Sequence, residues 1–242
     1  MRKTFSILIM ALICVICVFA TDSEAQSVEI KSVYEYRTSE DYNIDESGIP
    51  VIFVSEFPVF SGAGTKNMAA AYANSYAEAK NAANVFTRKK SKYSTDDYVD
   101  ELSKTENEYY LDITTCTIEY DKNGVVSIVQ MSVWYMGWVY NIFFDCHTFD
   151  MNTGRELEIT DVLQGTEASI LSTLKREFEA ENGELMNEPY APVSFYLSDE
   201  GVVYTPPVGI IYGIQRGATL TIPYSRTDLV KAPYQTVAPT GD

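Results

Sequence analysis

YYLDITTCTIEYDKNGVVSIVQMSVWYMGWVYNIFFDCHTF, residues 109–149, is rich in β-branched and aromatic side chains and is punctuated twice. Asn123-Gly124 is the dipeptide a type I′ hairpin favours, because both of its central residues take positive φ. Met136-Gly137 is a weaker turn between Tyr135 and Trp138. The segment therefore predicts a three-stranded antiparallel meander. With two residues in each loop, Cys116 lies opposite Met131, and Met131 opposite Ile142. Ile118, Val129, Phe144 and Cys146 then share that face, while Trp134 and Phe143 point the other way. In this register the two cysteines sit on non-adjacent strands, roughly 10 Å apart across the sheet, whereas a disulfide spans roughly 7 Å between Cα atoms. The register favours two buried thiols. An oxidising compartment, argued below, pulls the opposite way.

Upstream, residues 26–42 alternate in part and predict a strand with Val28, Ile30, Tyr34 and Tyr36 on one face and Val33 out of phase. Residues 41–48 read as a turn. Residues 50–60 (PVIFVSEFPVF) predict a second strand, bent or ended at Pro58. Ser61-Gly62-Ala63-Gly64 breaks the pattern. Residues 65–86 predict one amphipathic helix, with Met68, Tyr72, Tyr76, Ala79, Ala83 and Phe86 in a stripe. Arg88, Lys89, Lys90 and Lys92 would then complement its C-terminal dipole. Ser94 and Asp97 form a capping box for a short helix ending near Leu102.

Downstream, Met151-Asn152-Thr153-Gly154 is a turn and residues 160–163 a short helical turn. Thr166 caps a helix running to about Glu181, with Ala168, Leu171, Leu174 and Phe178 on one face. Residues 194–197 and 202–205 form a hairpin, and residues 218–223 a last strand. Ser225 opens a short terminal helix, and the Pro-containing tail from Ala232 reads as disordered. The expected fold is α+β: antiparallel sheets with two main helices, in two intimately joined subdomains, residues 26–105 and 106–231, followed by a tail over 232–242.

The first twenty-five residues carry a different message. Arg2 and Lys3 precede an apolar run from Ser6 to Phe19, too short for the roughly 20 residues a membrane helix needs. Val18-Phe19-Ala20 and Ser23-Glu24-Ala25 follow as small-residue cleavage sites. This order predicts a cleavable secretory signal over residues 1–25, a secreted or extracytoplasmic location and no stable membrane anchor. Ile13 and Ile16 precede Cys14 and Cys17 where a lipid-acylation site has a small residue. The formal net charge of -16 repels nucleic acid and anionic lipid, and favours basic partners or simple solubility.

His147 is the only histidine in the chain, which removes histidine triads and multi-histidine zinc sites. No metal or cofactor is expected. His147 itself reads as a surface or half-buried sheet residue rather than a catalyst, since general-base work needs an orienting partner. Ser61-Gly62-Ala63-Gly64 has no Walker lysine. Asp145, Asp150 and Glu156 cluster near the 151–154 turn, but two hydrolytic carboxylates need a separation of roughly 5 to 9 Å that spacing alone does not give. Trp138, Tyr140 and Tyr212 are the candidate ligand-binding residues, as aromatic faces for sugar rings or a protein.

Four stretches resemble a known family. They are Thr148–Leu163 (TFDMNTGRELEITDVL), Phe195–Tyr204 (FYLSDEGVVY), Thr221–Ser225 (TIPYS) and Pro58–Gly62 (PVFSG) with Asn67. In chain order they resemble the extracytoplasmic module of the lysozyme-sensing anti-sigma factor RsiV and the non-catalytic part of PdaC-type peptidoglycan deacetylases. The chain departs from the family in two loops. Tyr135–Tyr140 (YMGWVY) replaces a Gly-Gly-Ala-His-Gly turn, and Val208–Gly217 replaces an acidic stretch. Binding residues tend to live in such loops. The resemblance implies a non-enzymatic binding or sensing module of the cell envelope, with a basic protein such as lysozyme as a partner. A cell-wall glycan-binding domain is the second reading, and a carboxylate-dependent enzyme the last.

Overall fold

A computed structural model describes residues 26–44, 48–62, 64–81, 84–88, 109–135, 140–182, 194–205 and 219–235. Seven strands form one sheet: β1 (Ser27–Thr38), β2 (Pro50–Ser61), β3 (Asn84–Arg88), β4 (Tyr110–Lys122), β5 (Val125–Tyr135), β6 (Tyr140–Asp150) and β7 (Arg155–Glu156). Their order is β3-β1-β2-β4-β5-β6-β7. Every pairing is antiparallel except β2 with β4, so one parallel ladder joins the two halves of the chain into a single sheet. β8 (Ser194–Leu197), β9 (Gly201–Thr205) and β10 (Leu220–Pro223) form a second, antiparallel sheet. The helices are α1 (Thr65–Ala71), α2 (Ala73–Asn81), α3 (Ile159–Val162), α4 (Glu167–Asn182) and α5 (Ala232–Gln235). The architecture is α+β, as the sequence implies.

The single helix expected over residues 65–86 is instead two short helices and a strand. Met68 and Tyr72 keep the apolar stripe and are buried. Past Asn81 the chain returns as β3, which pairs with β1 (Val33 opposite Val85, Ser32 opposite Phe86). The Val-Phe-Thr run suits a pleated surface, and it pairs the otherwise open edge of β1. Arg88 therefore lies on a strand and not at a helix C-terminus. Lys89, Lys90 and Lys92, and the short helix expected from Ser94, lie outside the described residues.

β2 runs straight through Pro58. Its pairing with β4 covers only Val51–Ser55, so beyond Ser55 that edge has no ladder bond for proline to break. The Tyr76 hydroxyl donates to the Pro58 carbonyl at 2.6 Å and ties α2 to the strand.

The Asn123-Gly124 turn forms as expected, with φ of 55° and 73°. The register beyond it differs. A bulge between Ile118 and Tyr120 puts Cys116 opposite Gln130, not Met131. The β5–β6 pairing starts at Tyr135 opposite Tyr140, so four residues join these strands and Met131 faces Phe144. Cys146 then lies opposite Val129. Neighbouring residues of a strand point to opposite faces, so the two cysteines lie on opposite faces of the sheet rather than on one. Both are buried, and no disulfide joins them.

One face of the large sheet is covered by α1 and α2. Met68 and Tyr72 pack there with Val28, Ile30, Phe60, Cys116, Val126, Ile128 and Phe149. The other face meets the small sheet. The backbone N–H of Leu197, on β8, donates to Ser127 Oγ at 2.9 Å, so a hydroxyl takes the place of a neighbouring strand. α4 covers the small sheet with Ile170, Leu174 and Phe178. Leu171 is only half-buried and Ala168 is exposed, so the apolar stripe is one residue round from the expected one. Residues 232–235 are helical rather than disordered, because Leu163 bridges Val230 just before them and Gln235 Nε2 donates to the Val230 carbonyl.

Two turns that are distant in sequence meet back to back. Gly64, entering α1, and Gly154, after β6, have φ of 76° and 70°, and a Cβ on either would overlap the backbone of the other. This contact fixes the 150–155 turn against the start of α1.

Candidate functional site

The helix-covered face of the large sheet is not covered along its whole length. Alternate residues of β6 on this face are Phe143, Asp145, His147 and Phe149, opposite Ser132, Gln130, Ile128 and Val126 of β5. At the inner end Phe149, Ile128 and Val126 are core. At the outer end Trp134 and Phe143 are 41% and 54% exposed, two of the three exposed large apolar side chains among the described residues. Trp134 is diagonal to Phe143 across the β5–β6 pair, within reach of an aromatic ring. Asp112 lies directly opposite Trp134 on β4, and Thr114 Oγ1 and Ser132 Oγ share a 2.9 Å hydrogen bond beside it.

Between core and open end runs a polar belt. Its centre is His147, whose side chain is 14% exposed. Nδ1 lies 2.7 Å from Glu156 Oε1. Nε2 is 3.3 Å from Asp145 Oδ2, close enough for charge attraction but poorly aligned for a hydrogen bond. The ring stacks on Phe149 at 5.8 Å and meets the edge of Tyr72 at 5.2 Å. Burial alone would lower the imidazole pKa, but the contacts with Asp145 and Glu156 outweigh it and hold it up at about 9. His147 in turn holds the Asp145 carboxyl below its usual range. A histidine charged throughout neutral pH is a poor general base. It acts here as a fixed cation between two carboxylates.

Glu56 anchors the other side of the belt, where β2 parts from β4. Its buried carboxylate accepts the Cys116 N–H at 3.0 Å and the Ser32 hydroxyl at 3.3 Å. Gln130 Nε2 donates to the Glu56 carbonyl at 3.1 Å. At the outer edge Tyr42 donates its hydroxyl to Asp112, and Arg37 lies 3.8 Å from the same carboxylate. Arg37 also stacks 3.4 Å over the Phe53 ring. Among the described residues, Asp112, Asp145, Glu156 and Glu56 on this face each already hold a cation or a donor. The exposed aromatic rings are the groups left for an outside ligand.

A member of the DUF3298 family from Bacteroides fragilis superposes with a TM-score of 0.52 at 13% identity, over 87% of this chain and 95% of that one. The chain has the fold of a DUF3298 protein. A DUF3298 family protein from Pseudomonas aeruginosa matches with a TM-score of 0.49 at 11% identity, over 88% of this chain and 97% of that one. No family model and no curated protein matches the sequence.

In this DUF3298 fold Tyr140 is the first residue of β6. Trp138 and Tyr212 lie outside the described residues. Among the described residues the exposed aromatic pair is Trp134 and Phe143. Sequence alternation placed both on the face away from Cys146, but exposure depends on where α1 and α2 end. The sequence around His147 offers no orienting partner, and the structure supplies two, Glu156 and Asp145. Glu156 is nine residues away and reaches it only because β7 folds back on β6. Among the described residues no helix is long and apolar enough to cross a membrane.

Proposed function

We propose that this protein is a secreted, non-enzymatic binding or sensing module of the cell envelope, and that its open sheet face takes a basic protein such as lysozyme. The observation that carries the reading is the exposed Trp134–Phe143 pair, held on a rigid sheet beside hydrogen-bonding side chains. Arginine and lysine side chains of a partner stack on such rings, and aromatic anchors of this kind commonly dominate binding energy. The net charge of -16 would steer a basic partner towards the face. DUF3298 is the domain family of RsiV- and PdaC-type extracytoplasmic domains, and the sequence stretches given above point the same way.

The test is calorimetric titration with lysozyme at low and moderate salt. Wild type is compared with a Trp134→Ala/Phe143→Ala variant, in which both sites are exposed and the fold is retained. The variant should bind about 30-fold or more weakly, the loss of one strong anchor. Absence of wild-type binding at low salt removes lysozyme as the partner. Equal binding by wild type and variant removes the face.

A further inference from the structure

A cleft of about 300 Å³ opens away from that face, between the β4–β5 hairpin, the 150–155 turn and α5. Tyr120 and Tyr234 line it together with four planar polar side chains, Asn123, Asp150, Asn152 and Arg155. It shares no residue with the Trp134–Phe143 platform.

The walls are built before any ligand arrives. Asn123, Gly124 and Gly154 hold positive φ, and the Met151 N–H donates to the Gly124 carbonyl at 2.8 Å, joining the two turns. A Cβ on Gly124 would lie 2.8 Å from Asn152 Nδ2, so the Asn152 amide sits directly against the hairpin tip. The Asn152 N–H donates to Asp150 Oδ1 at 2.9 Å. The Asn123 side chain lies beside the Tyr120 hydroxyl. Arg155 is clamped by both carboxylate oxygens of Asp161, at 2.7 and 3.2 Å. A preformed site loses little ordering entropy on binding.

Charge selects the ligand class. The Arg155 guanidinium is already neutralised by Asp161, and Asp150 is its cross-strand partner. An anion entering here meets two carboxylates, and a cation meets the guanidinium. A neutral molecule with an apolar ring face and many hydroxyl or amide groups meets neither penalty. It finds the half-buried Tyr234 ring to pack on, and planar amide, carboxylate and guanidinium groups to hydrogen-bond. The volume lies at the small end of ligand sites. We infer that this cleft is a saccharide site, taking one or two rings of a neutral or N-acetylated sugar chain.

The experiment is an NMR titration of the uniformly labelled full chain with triacetylchitotriose and, separately, maltotriose, into the millimolar range. The backbone amides of Asn123, Gly124, Asn152 and Arg155 should shift with one or both sugars. Tyr234→Ala and Asn152→Ala should each weaken that binding about tenfold or more, and Trp134→Ala should leave it unchanged. Asn152 is exposed on a turn, so its variant keeps the fold even if removal of Tyr234 loosens α5. No shift at these amides with either sugar overturns the inference, and so does equal affinity in both cleft variants. Either outcome leaves the lysozyme test, which reads a different face, untouched.

Discussion

Replacing His147 by glutamine should remove a pH-dependent share of the stability. In the folded chain the imidazole titrates at about 9, against 6.5 for the free side chain. A group whose pKa is raised by folding stabilises the fold fully below its unfolded pKa, and that stabilisation is lost as pH climbs through the folded pKa. Here the full contribution is present below pH 6.5 and fades towards and above about pH 9. The gap is worth about 3 kcal/mol, at about 1.4 kcal/mol per pH decade. Asp145 is held low by the same contact and loses its share as pH falls through the acid range, so the two shifts describe one interaction and are not added. Glu156 and Tyr72 are the other titratable groups that face the ring, and Phe149 stacks on it. Urea unfolding of wild type and His147→Gln at pH 6 and pH 10 reads the effect directly. The difference should shrink from about 3 kcal/mol to under about 1 kcal/mol, with the m-value unchanged. Thiols, phenols and lysines titrate in both proteins and cancel in the difference. Because His147 is the only histidine, its imidazole proton signal can also be followed without assignment. A difference that is equal at both pH values, or an imidazole midpoint below pH 7, refutes the clamp.

Gly154→Ala should cost about 2 to 4 kcal/mol, because it combines a left-handed φ with overlap of the Gly64 backbone. A loss under about 1 kcal/mol in urea unfolding would mean the two turns do not touch. The Tyr72 hydroxyl is buried with no hydrogen-bond partner among the described residues. Tyr72→Phe should therefore be neutral or stabilising by up to about 1 kcal/mol, and a clear drop in the urea midpoint would show the hydroxyl to be partnered. Cys116 and Cys146 should resist a thiol reagent in the native protein and both react in urea without prior reduction. Burial pushes the Cys146 thiol pKa up, which slows it further. Fewer than two reactive thiols in urea from residues 26–242 would reveal a bridge.

Much of the framework was legible because it depends on neighbours in sequence. The Asn123-Gly124 hairpin, the Thr166-capped helix and the β8–β9 hairpin each rest on local φ preferences, capping and alternation. The failures share a cause. Residues 84–88 carry a helical period but pair as a strand, because the edge of β1 lies beside them in space. The bulge at Glu119 leaves no strong mark in the sequence, yet it moves Cys116 relative to Met131 and separates the thiols onto two faces. The candidate site was the least legible part. Trp134 and Phe143 are visible as alternate strand residues, but nothing local says that the covering helices stop short of them.

The sequence by itself determined the α+β class, most strands and the position of the tightest turn, because propensity and periodicity act over a few residues. It also determined the strong negative charge and the presence of a single histidine. Only the tertiary structure decided what those residues meet. It brought Glu156 and Asp145 to His147, set Gly64 against Gly154, and closed Tyr234 over the 150–155 turn. Each of these contacts depends on strand register and on chain reversal over many residues. A one-residue shift of register exchanges the faces of a strand, and no local preference encodes that choice.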